Sequence, residues 1–197
     1  MFHCPLVYVM GYNTVKKMNE FKGILAGLGN PGGEYGHTFH NAGSLFVDFV
    51  ADGSTWQRPG RRPFEYCLWG KIVLIRPLLY MNESGRAVSS ALNYFKLKPA
   101  ALTVVQDESD LALGDYKISR NRGAAGHRGI LSVAKELGTF DFVRIRIGIR
   151  ARDGKASSFV LKNISPAEKK KLHLVFGDIL KLMEKDQLPL AKSRLAP

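Results

Sequence analysis

Apolar positions along the chain recur in two alternating rhythms, short continuous or every-other runs and runs spaced i, i+3, i+4, i+7. Phe21 to Leu28 suits a buried strand, and it ends in Gly27-Leu28-Gly29-Asn30-Pro31-Gly32-Gly33. A helix is predicted from about His40, with Leu45, Phe46, Phe49 and Val50 on one face. Glu65 to Trp69 and Lys71 to Arg76 read as two strands turned tightly at Gly70, and Val88, Ala91, Leu92 and Phe95 mark a second helix. Leu102 to Gln106 predicts another buried strand, with Asp107 placed at its end. Tyr116 to Arg120 and Phe142 to Ile149 predict the remaining strands, with a short helix from about Gly129 to Leu137 between them. Ser165-Pro166-Ala167-Glu168 forms a capping box with proline at the first helical position, and it opens a last helix ending near Lys185. Helices alternating with strands, without repeats or low-complexity tracts, predict an α/β layered domain.

A chain of 197 residues can bury one sizeable core, and residues 21–197 are assigned to a single domain. The first stretch, MFHCPLVYVMGYNTVKK, is interrupted too early by Tyr, Gly and Asn to span a membrane, and its basic residues follow the apolar patch. Residues 1–20 are therefore expected to form a poorly ordered extension, with Met18 opening the segment that runs into the first strand. Cys4 and Cys67 form no CxxC or Cys/His cluster, which removes a disulfide framework and a thiolate zinc site and fits a reducing cytoplasm. With 29 Lys+Arg against 17 Asp+Glu, the net charge of +12 attracts polyanions, and nucleic acid is the first partner to consider. An ordinary basic surface gives the same count, so the motifs must decide.

Gly27-Leu28-Gly29-Asn30-Pro31-Gly32 satisfies the G-x-G-x-x-G pattern of dinucleotide sites. That pattern needs a helix starting within the glycines, so that its N-terminus holds the pyrophosphate, and an acidic residue at the end of a second strand about 20 positions on. Here Pro31, two glycines and Tyr35 delay the helix to about His40, while Asp48 sits inside the helical stripe and Asp52 just past it. The dinucleotide reading fails on both counts.

What this loop offers is Asn30, Tyr35, His37, Thr38, His40 and Asn41 gathered near one strand end. Gly27-Leu28-Gly29-Asn30-Pro31-Gly32, then Tyr35, then Thr38-Phe39-His40-Asn41-Ala42-Gly43, resembles the opening signature of bacterial peptidyl-tRNA hydrolases. Pro77-Leu78-Leu79-Tyr80-Met81-Asn82-Glu83-Ser84-Gly85 resembles the family's second motif, and Asp107 to Leu111 through Gly126-His127-Arg128-Gly129 its third. The match spans about Phe21 to Arg150 and is looser over the last helix and tail.

The resemblance implies a mixed central β-sheet flanked by helices, a monomer, and hydrolysis of the ester between a peptide and tRNA that recycles stalled tRNA, with no cofactor or metal. It makes His40 the general base and Asp107 the carboxylate that orients it. Asn30 and Asn82 become the amides that position substrate and polarise the ester carbonyl, and Tyr35 and Tyr80 contacts of the tRNA's end. Lys117 and Arg146 fall on the positions that clamp the tRNA's end phosphate. The residue types suit these roles: an imidazole can accept a proton from water near neutrality, and a carboxylate on its other nitrogen fixes the tautomer. Read without the motif, His40 is equally a helix cap, Asn30 and Asn82 turn formers, and Asp107 a loop cap. Arg144 and Arg146 alternate with Val143, Ile145 and Ile147, so both guanidiniums share one sheet face, which could also be merely solvated, as Lys169 to Lys171 are.

Phe39 stands where the family's pattern has arginine, and Arg128 where it has asparagine. A guanidinium cannot accept a hydrogen bond as an amide can, so Arg128 is expected instead to contact the tRNA's terminal phosphodiester. A noncatalytic RNA-binding relative on the same fold is the nearest competing reading, and the pairing of His40 with Asp107 weighs against it. A metallohydrolase using His37 and His40 with Asp107 or His127 is the other.

Overall fold

Residues 21–150 and 159–188 are described by the computed structural model. The extension expected over residues 1–20 and the tail after residue 188 lie outside them. The chain runs β1 (Gly23–Gly27), α1 (Ala42–Ala51), β2 (Phe64–Trp69), β3 (Ile72–Pro77), α2 (Ser84–Tyr94), β4 (Leu102–Ala112), β5 (Tyr116–Arg120), α3 (Arg128–Leu137), β6 (Val143–Arg150) and α4 (Pro166–Glu184). These strands form one six-stranded sheet in the order β2-β3-β1-β4-β6-β5. The inner pairs β3/β1, β1/β4 and β4/β6 are parallel, and the edge strands β2 and β5 are antiparallel to their neighbours.

A strand with parallel neighbours on both sides and helices on both faces has no polar side, which is why β1 reads as an unbroken apolar run. Side chains alternate between the layers. Leu25, Leu74 and Val105 join Phe46, Val47 and Val50 of α1 and Leu172, Phe176 and Ile179 of α4 in one core. Ile24, Ala26, Val73 and Val104 join Val88, Ala91 and Leu92 of α2 and Ile130 and Val133 of α3 in the other.

The glycines of the first motif serve close packing. A Cβ on Gly27 would run into the carbonyl oxygen of Gly43, and one on Gly43 into that of Val105, so α1 rests on the backbones of β1 and β4. Gly43→Ala is expected to cost about 1–3 kcal/mol of stability, the range for overpacking a tight interior, read as a lower midpoint in urea with an unchanged slope.

One element differs from its sequence expectation. The strand predicted to end at Gln106 continues to Ala112. Its pairing with β1 ends at Val105, while that with β6 continues through Glu108 and, after an irregularity, to Ala112. Past Asp107 one neighbour is gone and burial drops, so charged residues are tolerated there and the apolar signal vanishes while the strand goes on. Asp107 thus lies within β4, just beyond the end of β1.

Candidate active site

Two layers meet at the carboxyl ends of β1 and β4. His40 sits in a 3-10 turn, Phe39–Asn41, that leads into α1. Its backbone N–H donates to Val160 O at 2.8 Å, Ile164 N–H donates to His37 O at 2.8 Å, and Thr38 bridges Asn163. Phe39, where the family's pattern has arginine, is buried and stands edge-on to Phe159 at 6.5 Å. Residues 159–164 therefore buttress the turn that presents His40.

The His40 side chain is 17% exposed, and its Nδ1 lies 2.9 and 3.0 Å from the two Asp107 carboxylate oxygens. A carboxylate accepts only, so the neutral ring carries its proton on Nδ1 and keeps a lone pair on Nε2, which no group among the described residues engages. His127 reaches the same carboxylate, with Nε2 2.9 Å from Asp107 Oδ1 and its ring 5.4 Å from that of His40. Its Nδ1 caps α3 by accepting from the backbone N–H groups of Gly129 and Ile130 at 3.1 and 3.3 Å. Those donors leave Nδ1 no room for a proton, so His127 carries its proton on Nε2 and gives it to Asp107. With both nitrogens occupied, His127 holds the carboxylate and does not serve as a base.

Asp107 is 3% exposed. Burial by itself would raise its carboxyl pKa, but the charge and hydrogen bond of His127, then the hydrogen bond and charge of His40, outweigh burial and hold it at about 2. The two N–H donors favour the carboxylate over its acid form.

The asparagines are arranged around β1's end. Asn41 accepts from Asn30 N–H at 2.8 Å and donates to Asn30 O at 2.9 Å. Asn30 Oδ1 in turn accepts from the Met81 backbone N–H at 2.8 Å, tying the first motif to the second. Since that oxygen is occupied, Asn30 can offer only its NH₂ to a substrate. Asn82, next to Met81 in the turn Met81–Glu83, is exposed. Tyr35 meets Tyr80 edge-on at 6.4 Å, and Tyr80 is 54% exposed.

Lys117 and Arg146 face each other in register across β5 and β6. They line a cleft of about 680 Å³ together with Ser119, Arg120, Arg122 and Gly123. Glu108 Oε2 receives Arg146 Nε and a terminal guanidinium nitrogen, each at 2.7 Å. Arg128 opens α3 and is exposed. Arg144 shares a face with Arg146 as its alternation predicts, yet it is buried rather than solvated.

Sequence reasoning thus placed His40 on Asp107 and Lys117 on Arg146. It missed the capping role of His127, the clamp of Asn41 on Asn30, the grip of Glu108 on Arg146 and the support from residues 159–164. A histidine immediately before an apolar-periodic run could have signalled the cap; the others depend on contacts distant in sequence. His37 is exposed and outside the cluster formed by His40, Asp107 and His127, whose possible ligand atoms lie within 4.8 Å of one another. Each contact in that cluster is already accounted for by an N–H hydrogen on a carboxylate oxygen.

A buried carboxylate orienting a partly exposed imidazole on an α/β sheet is an arrangement suited to acid–base chemistry. Comparison with known proteins makes the class specific. A family profile described as peptidyl-tRNA hydrolase matches residues 24–190. A peptidyl-tRNA hydrolase of Trichlorobacter lovleyi is 40% identical over 82% of this chain and 86% of its own, and one of Mycolicibacterium vanbaalenii 40% identical over 76% and 82%. The crystal structure of the Acinetobacter baumannii peptidyl-tRNA hydrolase superposes with a TM-score of 0.74, at 30% identity over 85% of this chain and 90% of that one. The chain belongs to the peptidyl-tRNA hydrolase family and is a hydrolase. No helix among the described residues is long and apolar enough to cross a membrane.

Proposed function

We propose that this monomeric, cytoplasmic enzyme cleaves the ester between a peptide, or N-acyl-aminoacyl group, and tRNA through the free Nε2 of His40. The observation that carries this reading is the double contact of His40 Nδ1 with Asp107, which leaves Nε2 as a base. Water attacks the ester carbonyl as Nε2 takes its proton. Asp107 stabilises the imidazolium that forms, and the amide NH₂ groups of Asn30 and Asn82 donate to the developing oxyanion. On collapse the imidazolium returns the proton to the departing 3′ ribose oxygen, yielding a peptide carboxylate and tRNA with a free hydroxyl. Tyr35 and Tyr80 contact the terminal nucleotide. The end phosphate lies between Lys117 and Arg146, whose binding energy holds the ester at His40. No metal takes part.

The test is release of labelled N-acyl-amino acid from N-acyl-aminoacyl-tRNA by the purified chain in excess chelator. Release supports the reading; tRNA binding without release, with or without added zinc, would reassign the chain to a noncatalytic RNA-binding role. Arg128 is placed against the terminal phosphodiester. Arg128→Asn is expected to raise KM for the tRNA substrate by up to about fivefold, the worth of an exposed charge contact, and to raise kcat as an amide regains access to the site. Unchanged kcat and KM would remove Arg128 from the site.

A further inference from the structure

Beyond α3 the sheet carries a polar ladder over three strands. Gln106 and Glu108 come from β4, Arg144 and Arg146 from β6, and Ser119 and Lys117 from β5, with Ser119 opposite Arg144 and Lys117 opposite Arg146. The outer row is charged throughout: Glu108 grips Arg146, which faces Lys117. The inner row differs. Arg144 is only 1% exposed, yet its Nε donates to the neutral Gln106 Oε1 at 3.0 Å. One terminal nitrogen donates to the carbonyls of Arg122 and Gly123 at 3.2 and 2.7 Å. The other makes no hydrogen bond among the described residues, and neither does the buried hydroxyl of Ser119, the residue opposite Arg144.

Among the described residues no carboxylate pairs with Arg144; nearby Glu108 is held by Arg146. A buried charge without a partner is costly, commonly by several kcal/mol. Burial lowers the Arg144 pKa, the neighbouring Arg146 charge lowers it further, and only Glu108 opposes them. The cleft adjoins this charge through Ser119, Arg122, Gly123 and Arg146, which line it and neighbour or bond Arg144. Arg144 is also linked, through Gln106 on one side and the 122–124 backbone on the other, to Asp107 and His127. Gln106 continues from it to the Asp107 carbonyl at 3.1 Å, and the strand of loop it holds at Arg122 and Gly123 runs on to Ala124, whose carbonyl accepts from His127 N–H at 3.0 Å.

We propose that Arg144 is a positioning residue whose buried charge is completed by the RNA phosphate in the Lys117–Arg146 cleft, so that phosphate binding seats the 122–126 loop and His127 upon Asp107. The inference rests on the tRNA reading above and adds a coupling between cleft and chemistry: a substrate without that phosphate meets a less ordered carboxylate–imidazole pair.

Two variants of the full chain separate charge from bridging. Gln106→Glu is nearly isosteric and supplies the missing carboxylate, giving up the Nε2 donor to the Asp107 carbonyl while keeping the acceptor for Arg144. It is expected to keep or raise the thermal midpoint, weaken deacylated-tRNA binding about tenfold, and flatten its salt dependence by the worth of about one phosphate contact. Arg144→Lys keeps the charge but reaches fewer of the acceptors. It is expected to keep the salt slope while kcat falls about tenfold, because the His127 loop loses its anchor. The proposal is overturned if Gln106→Glu binds tRNA with wild-type affinity and slope, or if both variants lose midpoint and affinity alike with the slope unchanged, the pattern of a plain structural staple. Wild-type release of N-acyl-amino acid alongside either result confines the failure to Arg144; absence of release sinks the underlying reading instead.

Discussion

Replacing His40 by alanine is expected to lower single-turnover cleavage of N-acyl-aminoacyl-tRNA by about 10²–10⁴-fold, the range a general base supplies, while tRNA affinity and thermal midpoint change little. The separation of effects follows from what the ring touches. His40 is partly exposed and contributes its Nδ1 hydrogen bond to Asp107, not a core contact. Removing it leaves Asp107 still bonded to His127, so no buried charge is stranded and the fold bears little cost. The cationic cleft of Lys117 and Arg146 is formed by β5, β6 and the loop before α3, none of which carries His40. A loss under about tenfold at saturating substrate would assign proton removal to another group, and a fall in midpoint would make His40 a structural residue.

Asp107→Asn is expected to be as damaging, by about 10³-fold or more in kcat, for a reason that lies in proton placement. The carboxylate accepts from His40 Nδ1 and from His127 Nε2, and His127 cannot reverse its tautomer because its Nδ1 is engaged by two backbone N–H groups. An asparagine keeps its one oxygen at the Oδ1 position for His127, still 2.9 Å from His40 Nδ1, and sets its NH₂ at the Oδ2 position, 3.0 Å from that nitrogen, where it opposes a proton on Nδ1. That drives the His40 proton onto Nε2, the nitrogen required as the base, and leaves the geometry intact with the wrong tautomer. A loss in kcat under about tenfold would show that the reaction does not depend on this placement of the proton.

The carboxyl's low pKa has its own signature. Asp107 titrates at about 2 when folded, against about 3.9 for a free aspartate. A depressed folded value means the unfolded chain binds the proton more readily. The stabilisation from Asp107 is thus complete above the unfolded value and is lost as pH falls toward about 2. The acid limb of activity above pH 4 accordingly belongs to a group other than this carboxylate. In Asp107→Asn that share of acid-induced unfolding between the two values should vanish.

How much of this was legible in the sequence depends on how local the cause is. β1 and the start of α1 announced themselves because burial on all sides imposes an apolar run and the helix imposes its period. The capping box at Ser165 held, with Glu168 reaching back to the Ser165 N–H at 2.8 Å. Asp107, which does meet His40, was misplaced at a strand end, since β4 loses β1 as a neighbour there and its later residues look like a loop. Arg144 looked like one of two alternating surface cations; only the loop folded across it, with Arg122 and Gly123 turned inward, makes it a buried one. Nothing in the order of residues tells that His127 and His40 share one carboxylate, because one precedes α1 and the other caps α3, far apart in the sequence.

The seating of α1 on the sheet has a further consequence. Gly43, three residues after His40, abuts the carbonyl of Val105, two residues before Asp107. The catalytic separation is thereby gauged by main chain against main chain, independent of which apolar side chains fill the layers around it. Lineages of such an enzyme can exchange Leu, Ile, Val and Phe throughout both cores and diverge far in sequence while the imidazole and carboxylate stay in register, provided that one glycine is left bare.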